Sequence, residues 1–150
     1  MASARHLRLI GITAVLLVQL ALAGCSGAAR ISYIPEGGDY SADELPALLE
    51  NADTSNTRGL GPDEVPQARQ DALADLRTHG DDAAALADAL TSQFPVDVNA
   101  VPVEIHRATY EGEPAWIVVE SWGDDGEPVT ESRLWVFSAD DLDLITAYAK

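Results

Sequence analysis

Few residues of this chain have the types and spacing of a catalytic site. Two histidines follow the first 25 residues, His79 and His106, and no G-x-S-x-G elbow supplies a nucleophile for either one. His79 comes just before Gly80 at the predicted end of a helix, where an imidazole can cap free carbonyl groups. His106 is out of phase with the apolar residues of its predicted strand, which places its ring toward solvent. We therefore expect structural histidines, no catalytic residues and no enzymatic activity.

Carboxylates are abundant, with 25 Asp and Glu against 9 Lys and Arg. The first and third turns of a β-meander lie at the same end of its sheet, which would gather five acids at one rim: Glu111, Glu113, Asp140, Asp141 and Asp143. A Ca²⁺ ion takes about six to eight oxygen ligands, but no D-x-D-x-D-G loop is present. The prediction is a solvated acidic rim with no metal and no cofactor. A calcium site is the alternative.

The only cysteine, Cys25, follows a segment typical of secretion signals. Arg5, His6 and Arg8 form a basic start, and the uncharged run 9–22 comes next. That run has 14 residues, whereas a helix needs about 20 to cross the hydrocarbon core of a bilayer. A basic start, a short apolar stretch and small residues at its end indicate a cleaved leader rather than a membrane span.

The end of this segment, Leu22-Ala23-Gly24-Cys25, resembles the lipobox of bacterial lipoproteins. The resemblance implies that residues 1–24 are a signal peptide and that Cys25 becomes a lipid-bearing N-terminus. It also implies a location on the extracytoplasmic face of the cell membrane, because two acyl chains suffice for stable anchoring. A plain signal peptide and an uncleaved anchor are the alternatives.

The charge of the chain limits what it can bind. Removal of residues 1–24 takes away two arginines and no acid, so a formal charge of −16 becomes −18 over 126 residues. Such acidity argues against nucleic acid and against electrostatic attachment to anionic lipids. Because Cys25 is the only cysteine and would carry the lipid, disulfides, Cys-based zinc sites and a cysteine nucleophile are also excluded.

The rest of the chain divides into a tether and one domain. Residues 25–40 are small, polar and interrupted by glycine, which predicts a flexible tether that leads to a single domain over 41–150. Ser41 and Glu44 have capping-box spacing and predict a short helix. Apolar residues at helical spacing then predict two further helices, one capped by Asp63, which form a hairpin divided at Gly80. One helix bent at Gly80 is the alternative.

From Val101 the apolar period changes from 3.6 to 2, and turn signals follow at regular intervals. The pattern predicts three or four antiparallel strands in a meander, with 144–148 either a fourth strand or a final helix. Helices before strands indicate an α+β fold, in which the N-terminal helical hairpin packs on the meander.

Alternation along these strands places four aromatic residues on one sheet face: Trp116, Trp122, Trp135 and Phe137. The aliphatic face suits the Ala- and Leu-rich helices, so the aromatic face would be a ligand or partner surface. The sequence also supports the opposite interpretation, in which the first helix, the tether or the other helices cover the aromatic side and bury it as core.

These features favour a lipid-anchored extracytoplasmic protein that acts as a non-catalytic binding or accessory module. Its partners would be the membrane, through the lipid on Cys25, and another envelope protein or a small ligand. The alternative is a structural subunit of a membrane-associated envelope assembly.

Overall fold

The computed structural model describes residues 29–93 and 98–150. A mixed sheet and three α-helices make up this part of the chain, which confirms the predicted α+β class. The elements in chain order are β1 (Ser32–Ile34), β2 (Asp39–Tyr40), α1 (Leu45–Asn51), α2 (Val65–Leu76), α3 (Asp81–Gln93), β3 (Ala100–Tyr110), β4 (Glu113–Trp122), β5 (Glu131–Ser138) and β6 (Leu144–Ala149). No helix within these residues is long and apolar enough to cross a membrane.

The sheet has the order β1-β3-β4-β5-β6. Strand β2 pairs with the same edge of β3 as β1 does, but further toward the C-terminal end of β3. Strands β3 to β6 are neighbours in sequence and pair antiparallel. Strands β1 and β2 pair with β3 in parallel, so the sheet is mixed rather than a meander alone. The segment 144–148, for which strand and helix were both open, is the edge strand β6.

The prediction of a flexible tether over 25–40 is wrong for its second half, because β1 and β2 lie there. Ile31 is buried, and Tyr33 is directly opposite Ile105 of β3. Between the two strands, Gly37 passes so close to β3 that an added Cβ would lie 2.9 Å from the Cβ of Ala108. Pairing with a distant strand, rather than local composition, orders this segment.

The helix boundaries follow from local hydrogen bonds. The backbone N–H of Ser41 donates to Glu44 Oε2 at 2.9 Å, which confirms half of the predicted capping box ahead of α1. Helix α2 begins two residues after Asp63, which is not its cap. Instead the Glu64 carboxylate accepts the N–H of Gly61 at 3.0 Å. Gly80 separates α2 from α3 with a φ of 111°, in the left-handed region that glycine favours.

Helices α2 and α3 pack on the aromatic face of the sheet. One core cluster joins their apolar residues to the sheet, and its buried members include Leu73, Leu76, Leu86, Leu90, Ile105, Trp116, Val118 and Phe137. The expectation that these helices cover the aliphatic face is therefore wrong. The size of the side chains on each sheet face was therefore not sufficient to predict which face α2 and α3 cover.

The aliphatic face is covered by α1. Leu45 and Leu49 pack there with a second group of buried sheet residues, which comprises Val103, Ala108, Ala115, Ile117, Val119, Leu134 and Val136. The central strands β3 and β4 are thus covered on both faces, as their burial along most of their length also shows. The sheet edge at β6 extends beyond this cover.

Candidate functional site: the exposed edge strand

The residues of the lipobox, Leu22 to Cys25, lie outside the described part of the chain. The first buried residue after the lipobox in the described part of the chain is Ile31, whose backbone N–H donates to Asp75 of α2 at 3.1 Å. Ile31 is six positions after Cys25, and a fully extended chain covers at most about 3.4 Å per position. Cys25 is therefore within about 20 Å of the folded domain, a shorter connection than the predicted 16-residue tether allows.

Two of the four predicted surface aromatics belong to the core. Trp116 and Phe137 are each 1% exposed beneath α2 and α3. Trp116 also lies 6.3 Å from the ring of Tyr33 on β1, and the Arg107 guanidinium stands 5.0 Å from its ring centre. The expectation of an open aromatic surface is corrected at these positions, because the helices take the aromatic side of the sheet.

The other two, Trp122 and Trp135, are partly buried around one arginine. The Arg133 guanidinium lies 4.8 Å from the ring centre of Trp135 and 5.6 Å from that of Trp122. The indole N–H of Trp135 donates to Glu120 Oε2 at 2.9 Å. Both rings therefore take part in a polar cluster within the fold.

Glu120 is the centre of that cluster and has no solvent exposure. Its carboxylate accepts from Arg69 Nη1 at 3.0 Å and from Arg133 Nε at 2.9 Å. Arg69, on α2, also donates to the carbonyl oxygens of Leu90 and Ala100. No local pattern predicted this network, since the two arginines are 51 and 13 positions from Glu120 in the sequence. The network joins α2 and α3 to the sheet.

His106 is buried, and the prediction of a solvent-facing ring is wrong. Its Nε2 lies 2.6 Å from Glu104 Oε1, and its Nδ1 lies 3.4 Å from the hydroxyl of Tyr40. The cause is again the short parallel strands, because Tyr40 of β2 covers this ring. With both ring nitrogens engaged, the imidazole links β2 to β3.

His79 is exposed at the end of the 3₁₀ turn Arg77–His79, where its ring stacks on Tyr33 at 4.3 Å between centroids. The contact holds β1 against the junction between α2 and α3. No serine, threonine or cysteine is hydrogen-bonded to either histidine within the described ranges.

The two turns of the acidic rim do lie together, since the N–H of Ala139 donates to the carbonyl of Pro114 at 3.0 Å. Across residues 29–93 and 98–150, no three acid, histidine or cysteine side chains approach closely enough to hold a metal ion. One acid is already used in the fold, because Glu111 accepts the N–H of Ala42. The rim is an acidic surface beside the start of β6.

Strand β6 carries the large apolar side chains that the described chain exposes. Leu144 is 48% exposed, Ile145 46% and Tyr148 39%. Only one edge of β6 is paired, with β5, and no described strand lies on the other. The segment LITAYA contains neither charge nor proline, the two features that usually protect a sheet edge.

The backbone of β6 is also available for pairing. The N–H of Lys150 donates to the carbonyl of Ser132, and pairs that exchange hydrogen bonds alternate along an antiparallel ladder. Trp135 and Ala147 are therefore a non-bonded pair, so the N–H and C=O of Ala147 point to the open side. The sequence left 144–148 open between a strand and a helix, so the place of this segment at the sheet edge was not predicted.

No family model matches this sequence, and no curated protein or solved structure is significantly similar to it.

Proposed function

We propose that this protein is a lipid-anchored, extracytoplasmic and non-catalytic module that binds a partner protein through β6. The observation that carries the proposal is the exposure of Leu144, Ile145 and Tyr148 on a strand whose outer edge is open. An apolar open edge promotes pairing with another chain unless a partner covers it. We do not assign binding to the aromatic face, because α2 and α3 pack on it.

The leader supports the anchored half of the proposal. Cys25 ends a lipobox-like sequence, and a diacylglycerol group joined to its sulfur by a thioether would supply the two acyl chains that give stable membrane attachment. The distance of at most about 20 Å between this residue and Ile31 would keep the domain at the bilayer surface.

The sheet order supports the division of anchor and binding surface. β1, which follows the anchor, and β6 are at opposite edges with three strands between them. Four interstrand spacings of about 4.8 Å separate the two edges by about 19 Å. A partner could therefore pair with β6 without contact with the anchored edge.

The anchor is tested by fractionation of cells that express the wild type or Cys25→Ala. We expect the wild type in the membrane fraction, and the variant in the soluble fraction or as an unprocessed precursor. A processed variant that remains in the membrane would refute lipid attachment at this residue.

The binding surface is tested by crosslinking in native membranes with Ile145→Lys. Ala85→Lys is the matched control, since it adds the same charge on the exposed face of α3. We expect Ile145→Lys to remove a specific crosslinked product that both the wild type and the control retain. The same product in all three proteins would exclude β6 as the interface.

A further inference from the structure

We propose that β6 binds an extended apolar segment of another protein that carries Lys or Arg next to its apolar residues. This inference rests on the function proposed above and adds the chemistry of the partner. The bound segment would be a further strand of the sheet, paired along the open side of β6.

Backbone geometry supports strand addition. The open edge presents the N–H and C=O of Ala147, and by the same alternation those of Ala149. An added strand satisfies such groups with main-chain hydrogen bonds, which depend little on the partner's sequence. A rounded or helical partner surface would leave them unpaired.

The side chains of β6 select for apolar residues. Tyr148 and Thr146 are opposite Leu134 and Val136 of β5, and so they are on the face that α1 covers. Ala147 is opposite Trp135 and so faces the side of α2 and α3. A partner strand with apolar residues on both faces would form cross-strand pairs with β6, and each such pair adds to affinity.

Charge selects for basic flanks. Asp140, Asp141 and Asp143 come just before β6 and form no ion pair within the described ranges. The hydroxyl of Ser138 donates to the Asp141 carboxylate and is the larger cause that lowers its pKa below the ordinary 3.8; the N–H of Asp143 also donates to it. Asp141 therefore stays ionised at neutral pH. At the C-terminal end of β6, the charge of Lys150 is paired with Glu50, whose Oε1 lies 2.7 Å from Lys150 Nζ. The unpaired charge beside β6 is therefore the acidic group at its start.

The same charges argue against a second copy of this chain as the occupant. Each copy carries a formal charge of −18 once residues 1–24 are removed, so two copies that meet at β6 would repel each other. In an antiparallel complex, a basic residue after the apolar run of the partner would instead lie beside the acids that precede β6. Salt distinguishes the two occupants, because screening weakens attraction to a basic segment and relieves repulsion between two acidic copies.

The test is selection of binders from a display library of random ten-residue peptides against detergent-solubilised full-length protein. We expect the selected peptides to alternate apolar residues and to be enriched in Lys or Arg at one end. Affinity should fall at least about tenfold when those basic residues are replaced by Glu, a change of about 1.4 kcal/mol. It should also fall as NaCl rises from about 0.01 to about 1 M, because the Debye length shrinks from about 30 to about 3 Å.

Two variants at one position locate the binding edge. Ala147→Pro removes an N–H that points to the open side and should weaken the selected peptides about tenfold or more. Ala147→Gly keeps this N–H and should retain binding. Unchanged far-UV circular dichroism establishes that both variants are folded.

The possible failures are distinct. If no peptides are selected, or if the selected peptides are not enriched in basic residues, the inferred partner chemistry is overturned. Loss of the crosslinked product in Ile145→Lys would still support β6 as an interface. A second copy of the chain is the occupant if the protein forms a dimer that becomes stronger at high salt and is lost in Ala147→Pro. That result would also overturn the inference. If Ile145→Lys and Ala147→Pro change neither crosslinking nor peptide binding, the proposed function itself fails.

Discussion

The Glu120 carboxylate, which is fully buried, lies 3.0 Å from the guanidinium of Arg69 across the interface between sheet and helices. A second guanidinium, that of Arg133, approaches the other carboxylate oxygen to 2.8 Å. Since α2 supplies Arg69 and the sheet supplies the other two residues, this ion network fixes the helix on the sheet. A buried charge is tolerated here because both oxygens of the Glu120 carboxylate accept hydrogen bonds, two of them from guanidinium groups.

Glu120→Gln should therefore destabilise the domain strongly. Loss of the carboxylate charge leaves two arginines at the site, and breaking a buried ion pair costs about 3–5 kcal/mol of unfolding free energy. Urea denaturation followed by circular dichroism measures this change. Asp88→Asn is the control, because its pair with Arg77 is exposed and should contribute less than about 1 kcal/mol. Equal effects in the two variants would contradict a structural role for the network.

Trp116→Ala should lower stability by about 3–5 kcal/mol, as expected when a large core side chain is removed. Trp116 is 1% exposed and contacts both β1 and the helices. The control is Tyr148→Ala, whose side chain on β6 is 39% exposed and should change stability by no more than about 0.5 kcal/mol. Thermal and urea unfolding compare the two. A stable Trp116→Ala protein would restore the possibility of an accessible aromatic face.

The end of β6 should be held to α1 in a pH-dependent way. The hydrogen bond and charge of Lys150 lower the pKa of Glu50 from its ordinary 4.5. A carboxyl group with a lowered folded-state pKa stabilises the fold above its ordinary pKa, and this contribution is lost as pH falls through the lowered value. The amide of Lys150, bonded to Ser132, should thus exchange more slowly in the wild type than in Glu50→Gln at about pH 7.

The difference between the wild type and Glu50→Gln should disappear in acid, below the lowered pKa of Glu50. Hydrogen exchange measured by NMR, with both proteins compared at each pH, removes the intrinsic pH dependence of exchange. Tyr33 on β1 is an internal reference, since it lies on the opposite edge of the sheet. A protection ratio that is constant across pH would show that this ion pair does not hold the strand end.

Local patterns in the sequence were sufficient for several elements of this fold. Apolar spacing of 3.6 residues predicted α2 and α3, and Gly80 marked the point between them because only glycine readily adopts its φ of 111°. The change to a period of 2 after Val101 predicted β3, β4 and β5, and turn residues marked their ends. The lipobox resemblance at Cys25 also depends only on adjacent residues.

Other features depend on residues that are distant in sequence, and these only the tertiary structure decided. Tyr33 and Ile105, 72 positions apart, pair across a parallel ladder that no local pattern predicts. That ladder brings the neighbouring β2 over His106, and the packing of α2 and α3 buries Trp116 and completes the partners of Glu120. The segment of β6 could be a strand or a helix from its sequence, and its exposure at the sheet edge was not predicted. Alternation along a strand defines two faces, whereas the neighbours that cover each face and each edge depend on how the whole chain packs.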